Sequence, residues 1–338
     1  MNLRRLPRPV ASLAAVVSVL ALAVGCSSAG GSSAGGSGKI NLVAYSTPQE
    51  VYEELIPEFA KTEAGKGVKV STSFGASGAQ SRAVVAGQPA DVVEFSLETD
   101  LTRLVDEGLV SKDWNKNEYN GMLTDSVVVF IVRKDNPKNI RSWSDLTKPG
   151  VKVVTPNPFS SGSARWNLMA AYGAALKQRK SPDEALAFVK SVLKNTVAQP
   201  ESGSKATAAF TSGTGDVLIS YENEALEAQR AKQDVDYVIP DQTLLIENPV
   251  AALSKSANAE QAKAFVKYLY TEQAQKTFAE HGYRPVVKSV LDEKKFPTPK
   301  QLFTIRDLGG WPKVAKEFFD TKTGSITKIE NELGVSGG

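Results

Sequence analysis

The chain has 338 residues, 41% apolar and 23% charged, with 40 Lys and Arg against 37 Asp and Glu, one His and one Cys. A single cysteine excludes an intramolecular disulfide and a cysteine metal cluster. Near-balanced charge without a basic block excludes the phosphate-neutralising surface that nucleic-acid binding requires.

At the start of the chain, Arg4, Arg5 and Arg8 precede an apolar run over residues 10–24. About 15 apolar residues are too few for a membrane span, which needs roughly 20, and they read as a secretory signal over 1–25. Leu22-Ala23-Val24-Gly25-Cys26 resembles a bacterial lipobox, with Ala23 where Leu is commonest. That resemblance implies cleavage before Cys26 and lipid attachment to it. After Cys26 the segment to residue 38 holds only Ser, Ala and Gly and reads as a flexible tether. Removal of residues 1–25 takes three arginines and no acid, leaving 37 basic and 37 acidic side chains. The remaining length, about 300 residues, is enough for two lobes with a core each.

From residue 39 onward strands and helices alternate. Residues 40–45 read as a strand, 51–61 as an amphipathic helix and 68–72 as a strand. The turn Ser73-Phe74-Gly75-Ala76-Ser77-Gly78-Ala79-Gln80-Ser81 then leads into a short helix through Val84 and Val85. A strand at 92–95 and a helix at 101–108 follow. Residues 127–132, apolar without interruption, read as a buried strand passing between lobes, with 217–221 as its return partner. The strand at 151–154 is stopped by Pro156 and Pro158, and the turn Ser160-Ser161-Gly162-Ser163 opens a helix over 164–177. A helix at 182–193 precedes a third turn, Glu201-Ser202-Gly203-Ser204-Lys205, which opens a further helix. Residues 257–281 read as one helical run, stopped at Gly282-Tyr283-Arg284-Pro285. This alternation predicts an α/β protein of mostly parallel sheets flanked by helices, with ligand beyond the carboxyl ends of the strands.

The three Ser/Gly turns all fall at such positions. A helix start presents backbone N–H groups without intrahelical partners and a partial positive charge, so three of them meeting would bind an anion without a formal charge. A lone turn of this kind is an ordinary N-cap. Catalysis has little support. His281 beside Gly282 reads as a helix-terminal polar residue, and no serine lies in Gly-x-Ser-x-Gly. Ser202-Gly203-Ser204-Lys205 lacks P-loop spacing. Glu222 and Glu224, two apart after the strand at 217–221, read as surface or hinge acids, and no metal-ligating cluster is visible. No cofactor is implied.

The segment Asn157-Pro158-Phe159-Ser160-Ser161-Gly162-Ser163-Ala164-Arg165-Trp166-Asn167 is similar to a signature of the substrate-binding proteins of bacterial ABC importers for sulfate. Further similarities lie at 132–137, at 215–219 with 222–225, at 267–270, at Tyr283-Arg284-Pro285, and at 302–305 with Gly309-Gly310-Trp311. The resemblance implies a two-lobed periplasmic-binding-protein fold of type II, with a dehydrated oxyanion held in the interlobe cleft by neutral donors. It implies ligation by Ser77 through its amide, Ser161 through amide and hydroxyl, the amides of Gly162, Ser163 and Ser204, and Tyr221, supported by Ser46, Gly78 and Arg165. Tyr221 stands where the family commonly has Trp, Ser163 where it has Gly, Ser204 where Ala is usual, Ser46 where Asp is frequent, and Phe159 where it has Lys.

It also implies lobes running 39–127 and 128–220, with 221–338 returning to the first lobe. Sulfate or thiosulfate would be the ligand, an ABC permease the partner, a lipid anchor the sole membrane attachment, and the protein a monomer outside the cytoplasm. Glu201, the one acid bordering a donor turn, is the residue to watch. The alternatives are a receptor for another tetrahedral oxyanion such as molybdate, and a secreted hydrolase with Ser161 or Ser77 as nucleophile.

Overall fold

A computed structural model describes residues 38–335. The leader, Cys26 and the tether through residue 37 lie outside them. Eleven strands form in chain order: β1 (Lys39–Tyr45), β2 (Lys69–Gly75), β3 (Val92–Glu94), β4 (Met122–Arg133), β5 (Val153–Val154), β6 (Thr196–Ala198), β7 (Val217–Tyr221), β8 (Val235–Val238), β9 (Gln242–Ala252), β10 (Arg284–Pro285) and β11 (Gln301–Phe303). The sheet order is β2-β1-β3-β9-β4-β7-β5-β6. At its ends stand two parallel wings, β2-β1-β3 and β7-β5-β6. Between them the long strands β9 and β4 run antiparallel to each other and to the wings they border.

Burial on both faces explains the apolar runs. In β1, Ile40, Leu42 and Ala44 enter one hydrophobic cluster and Val43 another. In β4, Val128, Phe130 and Val132 face one cluster while Val127, Val129 and Ile131 face a second, the period-2 alternation of a strand covered on both sides. Leu123, nearer the start of β4, packs instead with Ile40 and Leu42. In β9, Leu244 and Ile246 pack with Phe130, whereas Val250 packs with Ile40. Both strands therefore pass from one core to the other.

This changes the expected course of the chain. Residues 217–221 do pair antiparallel with β4, but within the second core, and the second crossing strand is β9. The polar interruption Glu247-Asn248-Pro249 hides β9 in the sequence. Of the segment 221–338 allotted to the first core, residues 250–283 do pack there, through Val250, Phe265, Leu269, Phe278 and Tyr283, whereas the residues from 303 onward do not. Phe303, Trp311, Val314, Phe318, Ile326 and Ile329 pack with Val128, Trp166 and Val217, and the Trp166 and Trp311 rings meet edge to face at 4.6 Å. The run at 257–281 is two helices, Ala259–Leu269 and Glu272–Glu280, because the Thr271 side chain caps the second. No helix among the described residues is long and apolar enough to cross a membrane.

Candidate functional site

Three helices start at carboxyl ends of the parallel wings: Ser77–Val85 after β2, Gly162–Lys177 after β5, and Gly203–Thr211 after β6. Their first turns meet. With Tyr45-Ser46-Thr47 at the end of β1 and Ser96 beyond β3, the residues Ala76, Ser77, Ser161, Gly162, Ser163, Ser202 and Gly203 wall one small, tightly closed cavity. Ser77, Ser161 and Ser163 are buried, as is Ser96. Among the described residues no carboxylate belongs to this wall.

Local hydrogen bonds decide which donors remain free to face inward. The Ser77 hydroxyl donates to Asp100 at 2.7 Å and accepts from the Ser96 amide at 3.0 Å, so its own amide, at the first helical position, is what it can offer. Gly78, expected in a supporting place, donates its amide to the Ser160 carbonyl at 3.1 Å and so joins the first-wing helix to the second-wing turn. Ser161 departs from expectation. Its amide donates to the Asn157 carbonyl at 2.9 Å, closing the turn, and only its hydroxyl, 2.7 Å from that of Ser163, remains for the cavity. Gly162 and Ser163 occupy the first two positions of a 16-residue helix, whose amides have no intrahelical acceptor. Gly162 must be glycine, because a Cβ there would lie 2.6 Å from the Ser96 Oγ.

Ser204 sits farther out, its amide directed at the Ser46 hydroxyl across a long 3.4 Å, with Ser46 itself in the wall. Arg165 supports the second turn from outside through an Nε donation to the Pro158 carbonyl at 3.0 Å. Tyr221 is buried, and its hydroxyl meets the Ser96 Oγ at 2.6 Å. Burial pushes its pKa up, against a smaller lowering by the Ser96 contact, so the phenol stays protonated.

Three wall residues outside the Ser/Gly turns were not anticipated from sequence, Tyr45, Thr47 and Ser96. All follow the rule that located those turns, since each stands at or within two residues of the end of a parallel strand. The Tyr45 hydroxyl is buried without a hydrogen-bond partner among the described residues, and burial raises its pKa well above the ordinary value. It is a donor in want of an acceptor.

Glu201 stays outside the wall, exposed and ion-paired with Lys205. Glu222 and Glu224 are not surface acids. Glu222 is fully buried against Arg284, with contacts of 2.6 and 3.0 Å, and Glu224 is buried and accepts from Thr207. His281 is likewise buried, with Nδ1 3.0 Å from Glu227 and Nε2 3.0 Å from Glu54. Glu50, Glu227 and His281 bring ligand-type atoms within 4.8 Å of one another, a cluster invisible along the sequence. Arg230 lies 3.0 Å from both Glu227 and His281 and supplies the cluster's cation.

Residues 40–284 match the model of the family described as bacterial extracellular solute-binding protein, and the chain belongs to that family. Its architecture is the two-lobed periplasmic-binding-protein fold. The chain is similar to the sulfate-binding protein of Synechococcus elongatus, 40% identical over 90% of this chain and 91% of that one. It is also similar to the thiosulfate-binding protein of Escherichia coli, 36% identical over 85% and 89%. The solved structure of the sulfate-binding protein SubI from Mycobacterium tuberculosis superposes with a TM-score of 0.81 at 47% identity, covering 83% of this chain and 99% of that chain.

Proposed function

We propose that this protein is an extracytoplasmic receptor that captures sulfate, and thiosulfate as a second ligand, and hands it to an ABC permease. The observation that carries this reading is the cavity walled by hydroxyls and helix-start amides with no carboxylate in the wall. Sulfate is fully deprotonated at neutral pH and only accepts hydrogen bonds. Monohydrogen phosphate must donate one, and a donors-only wall leaves that proton unmatched, at about 1–3 kcal/mol or more. The relatives whose names specify sulfate or thiosulfate support the same ligand class.

In this reading the ligating groups are the amides of Ser77, Gly162, Ser163 and Ser204 and the hydroxyls of Ser161, Tyr221 and Tyr45. The lobes are the two cores, with β4 and β9 as the crossing strands at which they close. The protein carries out no reaction: the Ser77 hydroxyl is engaged with Asp100, the Ser161 hydroxyl has the Ser163 hydroxyl rather than a base beside it, and His281 is engaged with Glu227 away from the wall. A lipid on Cys26 tethers it as a monomer to the outer face of the cell membrane.

Isothermal titration of the purified protein with sulfate, thiosulfate, phosphate and molybdate tests the reading. One-to-one binding of sulfate with phosphate silent is the expected result. Binding of molybdate alone would move the assignment to a larger tetrahedral oxyanion.

A further inference from the structure

A wall without charges attracts an anion only at short range, so the approach of the ligand depends on what surrounds the cavity. The surroundings are polarised. On one side the cleft opens to a groove lined by Glu50, Glu53, Glu54, Glu224 and Glu227 against the single cation Arg230. On the other side Arg82, Arg103 and Arg165 line a groove with Asn157, Ser160 and Phe319. Those arginines come from both walls of the cleft. Arg82 lies in the helix Ser77–Val85 and Arg103 in Glu98–Asp106, both on the first wing, and Arg165 lies in Gly162–Lys177 on the second.

The acids of the basic groove are already engaged. Glu201 pairs with Lys205, and the Asp320 carboxylate accepts from the amides of Lys322 and Thr323. Arg103 is paired with Asp100 at 3.1 Å, whereas neither Arg82 nor Arg165 has an ion pair among the described residues. The head of Arg82 also lies close to the cavity. A Cβ added at Gly78 would stand 3.0 Å from the Ser160 carbonyl, 3.3 Å from Arg82 Nη1 and 3.6 Å from Asp100 Oδ1, so the guanidinium lies beside the Gly78–Ser160 seam, next to the carboxylate that Arg103 pairs with and one residue from Ser77 and Ser161 in the wall.

We propose that the groove between Arg82, Arg103 and Arg165 is an outer binding station for the oxyanion, where ligand is held before it crosses the Gly78–Ser160 seam into the cavity. The proposal rests on the receptor reading above. It divides the work between two sites: charged groups that attract a dianion but would also hold phosphate stay outside, and the neutral donors that discriminate stay inside. The opposite, acidic mouth disfavours the same ligand.

The test is stopped-flow association of sulfate with the purified full chain, read by tryptophan fluorescence, alongside calorimetry on the same samples. R82E is expected to slow association roughly tenfold at about 10 mM ionic strength, with the gap narrowing to under about twofold near 0.5 M salt. R82K, which keeps the charge, is expected to retain the wild-type rate. E53Q changes the net charge by one at the acidic mouth and is expected to leave the rate within about 1.5-fold, as a local station requires and a whole-molecule field does not. A wild-type association rate in R82E at low salt, or an acceleration of about threefold in E53Q, the one-charge equivalent of the tenfold slowing from the two-charge change in R82E, would overturn the station. Absence of sulfate binding by the wild type in calorimetry is a separate outcome that overturns the receptor reading and the station together.

Discussion

The Tyr221 hydroxyl and the Ser96 Oγ lie 2.6 Å apart, joining the end of β7 on the second wing to the segment after β3 on the first. The pair bridges the cleft directly beside the cavity wall. Tyr221→Phe removes a donor and leaves the buried Ser96 hydroxyl unmatched. Sulfate affinity is expected to fall about 10- to 150-fold, matching the roughly 1.5–3 kcal/mol of a hydrogen bond to a charged group. Calorimetry on Y221F decides it, and unchanged affinity would remove Tyr221 from the ligating set.

Gly162→Ala tests the close approach of the two walls. The new methyl would stand 2.6 Å from Ser96 Oγ and 2.9 Å from Leu97 Cγ, contacts that require the 96–97 segment to retreat. Overpacking of this kind costs about 1–3 kcal/mol. A lower melting temperature together with a loss of sulfate affinity is the expected outcome, because the segment that must move carries a wall residue.

The ion pair between Glu222 and Arg284 is sealed, with Glu222 fully buried and Arg284 8% exposed. Removing either partner strands a charge in the interior, so Glu222→Ala and Arg284→Ala are each expected to destabilise the protein by about 3–5 kcal/mol. The double variant should lose less than the sum of the two, which denaturant unfolding of all four proteins measures.

Stability should fall as pH rises through neutrality. Burial lifts the Glu94 pKa from 4.5 to about 8, opposed by the Tyr52 hydroxyl donating at 2.5 Å, and burial likewise lifts Asp125 and Glu224 to about 7. An acid with a raised folded-state pKa binds more protons folded than unfolded across that interval. Its contribution is fully present below the unfolded value and is lost as pH rises through the folded one. Melting temperature in sulfate-free buffer is therefore expected to decline between about pH 5 and pH 9, and Glu94→Gln, which keeps a neutral acceptor for Tyr52, should flatten the upper part of the decline. An E94Q curve parallel to wild type up to the alkaline end would show that Glu94 does not titrate there.

The sequence alone determined the local features. Strands 40–45 and 127–132 and the three helix starts were legible because each is written in contiguous residues, an apolar run or a small polar turn before a helical period. Ser77, Gly162 and Ser163 followed from those helix starts, and the signature around Ser161 placed them in a family. What only the tertiary structure decided depends on pairings between distant segments. The crossing strand β9 is broken in sequence by Glu247-Asn248-Pro249 and becomes a strand through its ladders to β4 and β3. The Ser161 amide looks free in sequence and is taken by the Asn157 carbonyl once the turn closes. Glu222 finds Arg284 62 positions away, and His281 finds Glu227 54 away. Ser96 and Tyr45 become wall residues only when parallel pairing aligns the ends of β1 and β3 with the helix starts. Helix starts and apolar runs are fixed by interactions within a few residues, whereas a cavity wall is a long-range juxtaposition, and its members are chosen by sheet order.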